Sequence, residues 1–292
     1  MKQTKKIFAL GFFDGVHLGH QALLEACARW ERCFGWEMAC ITFDRHPMSL
    51  LAPTPPVLIN SLEDRKRLLR RRGVKYIHTV AVDEQSMGVD WQDFLQQLCH
   101  EGAAGFVCGY DFRFGRGGEG TAQKIRDFCT ARAMVAEVIP EQTFDGIRIS
   151  STHIRSLIES GDMKAAAGFL GHRHILSGEV VPGRQLGRTI GVPTANILIP
   201  DGVVVPKHGV YACVAEVEGQ RFSAVSNIGS RPTVGGHQVR AESWLLDFDG
   251  SLYGKKLTLE FAEFLRPERK FDSLEELKTQ ISIDAAKTTE IL

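Results

Sequence analysis

The chain has 292 residues, 43% of them hydrophobic, enough to bury a full core and more suited to two domains than to one. Lys and Arg together number 35, as do Asp and Glu, so the formal charge is zero and a global nucleic-acid-binding field is excluded. Seven cysteines without a CxxC pair argue against a disulfide framework, and no run of 18 apolar residues suggests a membrane helix. The expectation is a cytoplasmic protein with no nucleic-acid or membrane partner.

The opening "MKQTKKIFALGFF" imitates a signal peptide, but its short apolar run meets Asp14 without a small-residue cleavage site and reads as a first strand. Next, "HQALLEACARWERCF" sets Leu23, Leu24, Cys27, Trp30 and Phe34 on one helical face. "MACITF" is a strand, "LEDRKRLLRRRG" a basic helix with a solvated charged face, and "YIHTVAV" a strand. "DWQDFLQQLCHEG" places Trp91, Phe94, Leu95 and Leu98 at helical spacing, "GFVCGY" is again strand, and "TAQKIRDFCTARA" is helical. Such alternation predicts a parallel sheet covered by helices. Two short helices, "STHIRSLIESG" and "DMKAAAGFLG", close this part.

From "GHRHILSGEV" onward the pattern changes to "GVYACVAEVEG", "RFSAVSNIG", "ESWLLDFDG" and "KLTLEFAEFL", separated by Gly, Asp and Lys turns. This spacing predicts an antiparallel barrel or sandwich. A last helix is announced by Ser273 and Glu276 as a capping box. The predicted domains are 1–173 and 174–292. Neither shows a coiled-coil seam or an interface stripe, so oligomeric state stays open.

In "GFFDGVHLGHQ" (Gly11 to Gln21), His17 and His20 flank Gly19 just after the first strand. A metal site, a structural turn and a turn holding a charged ligand all remain open. A helix starting near Leu18 would put both imidazoles at its first turn, where free amides and the dipole favour an anion such as a triphosphate. Zinc would need a third ligand, and no nearby Cys or His has the customary spacing. H-x-G-H arises by chance about 0.03 times at this composition, whereas the G-x-G-x-x-G at Gly115 to Gly120 arises about 0.3 times. That second string precedes a helix and has Glu137 some way on, but lies too late for a dinucleotide fingerprint. In the C-terminal half, "GRTIGVPTANI" (Gly187 to Ile197) carries Thr194 and Asn196 after a proline, oxygen donors of the kind magnesium accepts, or simply a turn into a strand. No Walker sequence exists, so an ATP site here is not a P-loop one.

"GFFDGVHLGHQ", "TFDRHP", "GYDFRFG" and "ISSTHIR", in that order, resemble the nucleotidyltransferase module of bacterial bifunctional riboflavin kinase/FAD synthetases. "PTAN", "GVYACV", "NIGSRPT", "ESWLLDF", "LYGKKL" and "FLRPERKF" are similar to that family's riboflavin kinase module. The resemblance implies a Rossmann-like N-terminal domain, then a C-terminal β-barrel with a terminal helix. It implies ATP-dependent phosphorylation of riboflavin to FMN and adenylyl transfer to FMN, giving FAD and pyrophosphate, with Mg²⁺. By the same resemblance, His17, His20 and Arg155 act on the ATP phosphates. Gly11, Phe13, Asp14, Gly19, Asp111, Ser150 and Ser151 belong to the same binding site. Thr194 serves the metal, Asn196 serves ATP, and Glu242 is the base for the ribityl hydroxyl. The chain departs from the family at Arg45, a usual proline; at Val192 and Val234, where aromatics are common; and at Trp244, a usual polar position on the face of Glu242. Retention of one activity alone, or a flavin-sensing regulator, are the other readings.

Overall fold

Strands β1 (Lys6–Leu10) and β2 (Glu37–Phe43) are near-continuous apolar runs with almost every residue buried, as strands covered on both faces must be. The computed structural model describes residues 4–50, 52–182, 191–233 and 236–292, with 231–233, 236 and 237 as backbone alone. These divide into two compact units, one reaching to Leu58 and resuming over Leu62–Ser151, the other holding Ile59–Ser61 and Thr152–Leu292.

Between β1 and β2 runs α1 (Leu18–Phe34), ended by Gly35 at φ 69, whose N–H bonds the Glu31 carbonyl. There follow α2 (Leu62–Arg71), β3 (Tyr76–Val80), the single turn α3 (Glu84–Met87), α4 (Trp91–His100) and β4 (Ala103–Gly109). A small hairpin, β5 (Arg113–Phe114) with β6 (Gly120–Thr121), leads into α5 (Ala122–Thr130) and β7 (Val135–Ile139). A second hairpin, β8 (Thr143–Phe144) with β9 (Ile147–Arg148), ends the unit's regular structure. The main sheet is parallel throughout, in the order β3-β2-β1-β4-β7. Its order reverses at β1, so the crevice at the carboxyl ends of β1 and β4 is where a ligand is expected.

Several expectations need correcting here. Leu23, Leu24 and Cys27 are buried as expected, but Phe34 is 59% exposed and stacks with Trp30 and Trp36 on the surface. The basic α2 is not uniformly solvated, because Asp64 and Arg65 are buried. The glycine-rich Gly115–Gly120, already set aside as a dinucleotide fingerprint, folds the β5–β6 hairpin. A Cβ on Gly120 would lie 2.6 Å from the Phe114 ring, so this glycine serves packing. Glu137 pairs with Arg29 and accepts from Trp30 Nε1 at 2.8 Å.

The second unit opens with α6 (Ser151–Ser160) and α7 (Met163–Leu170). Strands β10 (His174–Glu179), β11 (Ala195–Leu198), β12 (Gly209–Val217), β13 (Gln220–Thr233), β14 (Gly236–Leu245) and β15 (Lys256–Arg266) follow. They form an antiparallel sheet in the order β10-β15-β12-β13-β14-β11. Val181, just past β10, bridges to Asn196 of β11 and nearly closes the sheet into a barrel. The β12–β13 turn uses Glu218 and Gly219, both at positive φ, as a two-residue hairpin turn matched to strand twist requires. The chain ends in α8 (Leu274–Ile291). Only half of its expected capping box forms: Ser273 Oγ accepts from Glu276 N at 3.1 Å, but the Glu276 carboxylate takes Asp272 N, not Ser273 N. By packing, α6 and α7 go with the barrel, where the Ile158 carbonyl accepts from Lys207 N, though the sequence placed them before a boundary at 173/174.

Candidate active sites

In the first unit the chain leaves β1 through a turn of left-handed residues: Phe13 at φ 62, Gly15 at φ 76 and Val16 at φ 42. Such angles in Phe and in β-branched Val are strained and persist only where the surroundings fix them. Both side chains are fully buried, and each neighbouring carbonyl is held from outside the turn. Thr42 Oγ1 donates to Phe12 O at 2.8 Å, Ser151 Oγ to Asp14 O at 3.3 Å, and Gln21 Nε2 to Val16 O at 2.9 Å.

The turn delivers His17 as the N-cap of α1, its Nδ1 accepting from His20 N at 3.3 Å. An accepting Nδ1 puts the proton of a neutral His17 on Nε2. The two imidazoles stack, ring centroids 3.7 Å apart and planes 13° apart, and Phe13 lies 5.1 Å from the His20 ring. Burial first, then the charges of His17 and Arg65, push the His20 pKa far below the ordinary imidazole range. His20 is therefore neutral at physiological pH, and its buried Nδ1 has no hydrogen-bond partner among the described residues. This is the start of a helix with free amides, beside a cleft, and it suits a multiply charged anion.

That cleft, about 260 Å³, is lined by Gly11, Phe12, His17, Gly19 and His20 on one side and by Gly109 to Phe112, Glu141, Arg148 and Ser150 on others. At its rim Arg148 pairs with Asp111 and with Glu141, both at 3.1 Å, while the Tyr110 hydroxyl donates to Glu141 at 2.6 Å. Of the predicted residues, Gly11, His17, Gly19, His20, Asp111 and Ser150 line the cleft. Phe13, Asp14 and Ser151 instead shape the turn behind it. Arg155 falls in the second unit, one turn into α6, where Nη2 donates to Thr152 Oγ1 at 2.9 Å.

A second cleft of about 390 Å³ in the same unit escaped the sequence reading. Phe43, Pro47, Val80, Phe94 and Phe114 give it an apolar wall, and Arg113, His78, Asp83 and Gln97 stand among its polar lining. Two of the quoted motifs touch it, since Pro47 ends "TFDRHP" and Arg113 and Phe114 belong to "DFRFG", but neither marks a cleft by itself. Arg45 sits beneath this region, donating from Nε and Nη2 to the Val82 carbonyl at 3.1 and 2.6 Å. It ties the loop after β2 to the one after β3, a link a proline could not make.

In the second unit, Glu242 on β14 is in direct register with Asn196 on β11 and Asn227 on β13, so all three share one face. Asn196 is 3% exposed and its Oδ1 has no partner among the described residues. Asn227 Nδ2 donates to Glu268 at 2.8 Å, and its own Oδ1 likewise has no partner among the described residues. Glu242, Trp244, Thr194, Val192 and Glu268 line a cleft of about 340 Å³ floored by Phe271 and the apolar face of α8. Trp244 lies two residues past Glu242 on the same face, as the sequence implied. Thr194 also lines a smaller cleft of about 100 Å³ with Pro193, Phe248 and Tyr253, so its hydroxyl sits in the wall between two spaces. Gly187 to Ile190 of the "GRTIGVPTANI" segment and the departure at Val234 lie outside the described residues.

Two elements dock the floor. Arg266 binds the Asp284 carboxylate of α8 through Nε at 3.1 Å and Nη2 at 2.8 Å, and Gln280 Nε2 donates to the same carboxylate at 2.9 Å. No group of three or more His, Cys, Asp or Glu among the described residues is arranged to hold a metal. Thr194 and the orphaned Asn196 Oδ1 are nevertheless hard oxygen donors, a set that fits magnesium sharing its shell with phosphate and water.

Residues 1–153 match the family model for FAD synthetase and residues 170–292 that for riboflavin kinase. A bifunctional riboflavin kinase/FMN adenylyltransferase of Bacillus subtilis is 34% identical over 289 residues, covering 97% of this chain and 91% of the relative. The protein of the same description from Escherichia coli K12 is 36% identical over 288 residues, covering 95% and 90%. A crystal structure from Streptococcus pneumoniae described as a macrolide-efflux protein superposes with a TM-score of 0.86 at 30% identity, covering 99% of this chain and 95% of that one. Among the described residues no helix is long and apolar enough to cross a membrane.

Proposed function

We propose a division of labour within this chain, which belongs to the family of bifunctional riboflavin kinase/FMN adenylyltransferases. The chain is a transferase with two activities, using ATP to phosphorylate riboflavin and then to adenylylate FMN. The register of Glu242 between Asn196 and Asn227, in a cleft wide enough for an aromatic ring system, carries the kinase assignment. Glu242 accepts the proton of the ribityl primary hydroxyl, which attacks the γ-phosphorus as the bond to the β-phosphate oxygen breaks and ADP leaves. Trp244 stacks on the isoalloxazine. Thr194 and Asn196 would hold Mg²⁺, which would supply charge neutralisation for the transferring group.

Adenylyl transfer belongs to the first unit. The triphosphate sits on the start of α1, with His17 and His20 donating hydrogen bonds to oxygens that gain charge as pyrophosphate leaves. Ser150 lines the same cleft and Ser151 contacts the turn. A neutral His20 suits this role because it approaches the anion without a competing counter-ion. The apolar cleft beside Phe43 and Phe114 takes the flavin ring of FMN, whose phosphate oxygen attacks the α-phosphorus in line.

Phosphorus labelling tests this division. With riboflavin as acceptor, label from γ-labelled ATP should enter FMN, and label from α-labelled ATP should enter FAD only. Failure of either label to transfer removes the corresponding assignment.

A further inference from the structure

Arg65 is a charged side chain with no exposed surface, on a helix whose other basic residues are exposed or half-buried. A single nitrogen of its guanidinium, Nη1, donates to Phe43 O at 2.9 Å, Thr42 Oγ1 at 3.0 Å and Phe12 O at 3.3 Å. Thr42 Oγ1 donates in turn to Phe12 O, closing a triangle. The guanidinium carbon lies 4.2 Å from the centroid of the Phe12 ring. Nε and Nη2 have no hydrogen-bond partner among the described residues, although both are buried. The charges of Asp14 and Asp44, with a smaller effect from Cys40, oppose the cost of burial.

A buried cation with two unpaired donors is unfavourable compared with an apolar side chain of the same shape, so stability alone does not account for it. Position does. Phe12 opens the strained turn and lines the nucleotide cleft, while Phe43 lines the apolar cleft. One nitrogen thus holds a carbonyl from each wall, at the ends of adjacent strands β1 and β2.

Resting on the adenylyltransferase reading of this unit, we infer that Arg65 is a positioning residue for adenylyl transfer, the tie that fixes the nucleotide turn relative to the flavin wall. Misplacing reacting groups by about 1 Å costs about 100-fold in rate, so this tie should act on turnover more than on binding. Its reach is electrostatic too, because the Arg65 charge, with that of His17, bears on His20.

The test uses the full chain, following FAD formation from FMN and ATP, with FMN formation from riboflavin as the control in the other unit. Wild type must form FAD; if it does not, the reading of the unit fails, whatever Arg65 does. Arg65→Gln should lower kcat for FAD by about 100-fold while the KM for ATP moves less than about 3-fold. It should also raise the His20 pKa in a histidine NMR titration, which a purely structural contact would not do. Thr42→Val keeps the shape and removes the bridging hydroxyl, and should lower kcat by about 10-fold with the fold intact. If Arg65→Gln does not fold, Thr42→Val decides alone. A folded variant of either kind with kcat within 2-fold of wild type, or a loss confined to the KM for ATP, overturns the inference.

Discussion

Replacing Asp284 by alanine should unfasten the terminal helix from the barrel. Asp284 is 3% exposed and takes three contacts from Arg266 between 2.8 and 3.1 Å, plus one from Gln280. Removing one partner of a buried pair leaves an uncompensated charge and costs about 3–5 kcal/mol. The Arg266 side chain keeps 18% exposure, so partial resolvation places the expected loss at the low end, about 3 kcal/mol. With a urea slope of about 2 kcal/mol/M, the midpoint of the second unit should fall by about 1.5 M. Trp244 is the only tryptophan of residues 152–292 and lines the same cleft, so its fluorotryptophan NMR signal reports that unit alone. FMN formation should fall with it, while FAD formation from supplied FMN persists. Arg266→Met combined with Asp284→Leu should recover most of the stability, since replacing both charges leaves neither unpaired. A midpoint shift under about 0.5 M for Asp284→Ala would refute this account of how α8 is held.

Three other outcomes follow from the same geometry. Burial, with a smaller effect from His172, holds the His174 pKa at about 3 against an ordinary 6.5. The folded state then binds fewer protons than the unfolded one between those values. Its contribution is complete above pH 6.5 and is lost as pH falls, by about 2 kcal/mol at pH 5; urea titrations at pH 7 and 5 should show that slope in wild type and not in His174→Gln. Trp244→His should raise the riboflavin KM roughly 2- to 12-fold, the worth of one aromatic stacking contact, and leave the KM for ATP unchanged in steady-state assays. Gly120→Val, which drives a side chain into Phe114, should raise the KM for FMN in FAD synthesis without altering FMN formation by the kinase.

What the sequence disclosed, and what it hid, follows from where each charge ends up. Strands β1 and β2 were legible because burial on both faces leaves an apolar run with little ambiguity. Strand β7 went unread because it is only half-buried and carries Glu137 at its centre, a charge satisfied by Arg29 and Trp30 from a helix far away in sequence. Arg65 was invisible inside "DRKRLLRRR", where nothing local marks one base of six as turned inward. Its burial is set by two strand-end carbonyls that only the folded sheet brings together. The histidine pair, by contrast, was readable, since a helix start, a glycine and two imidazoles are all encoded within four residues. The apolar cleft was not, because its walls come from β2, β3, α4 and the β5–β6 hairpin, and no single segment carries its signature.

The most direct test of two separate sites is chromatography of flavins formed from riboflavin, ATP and magnesium by wild type, His20→Ala and Glu242→Ala. Wild type should convert riboflavin to FMN and then FAD. His20→Ala should stop at FMN, and Glu242→Ala should leave riboflavin untouched yet make FAD when FMN is supplied. Loss of FMN formation in folded His20→Ala, or of FAD formation from supplied FMN in folded Glu242→Ala, would contradict the account, because it would mean that the two reactions share one site.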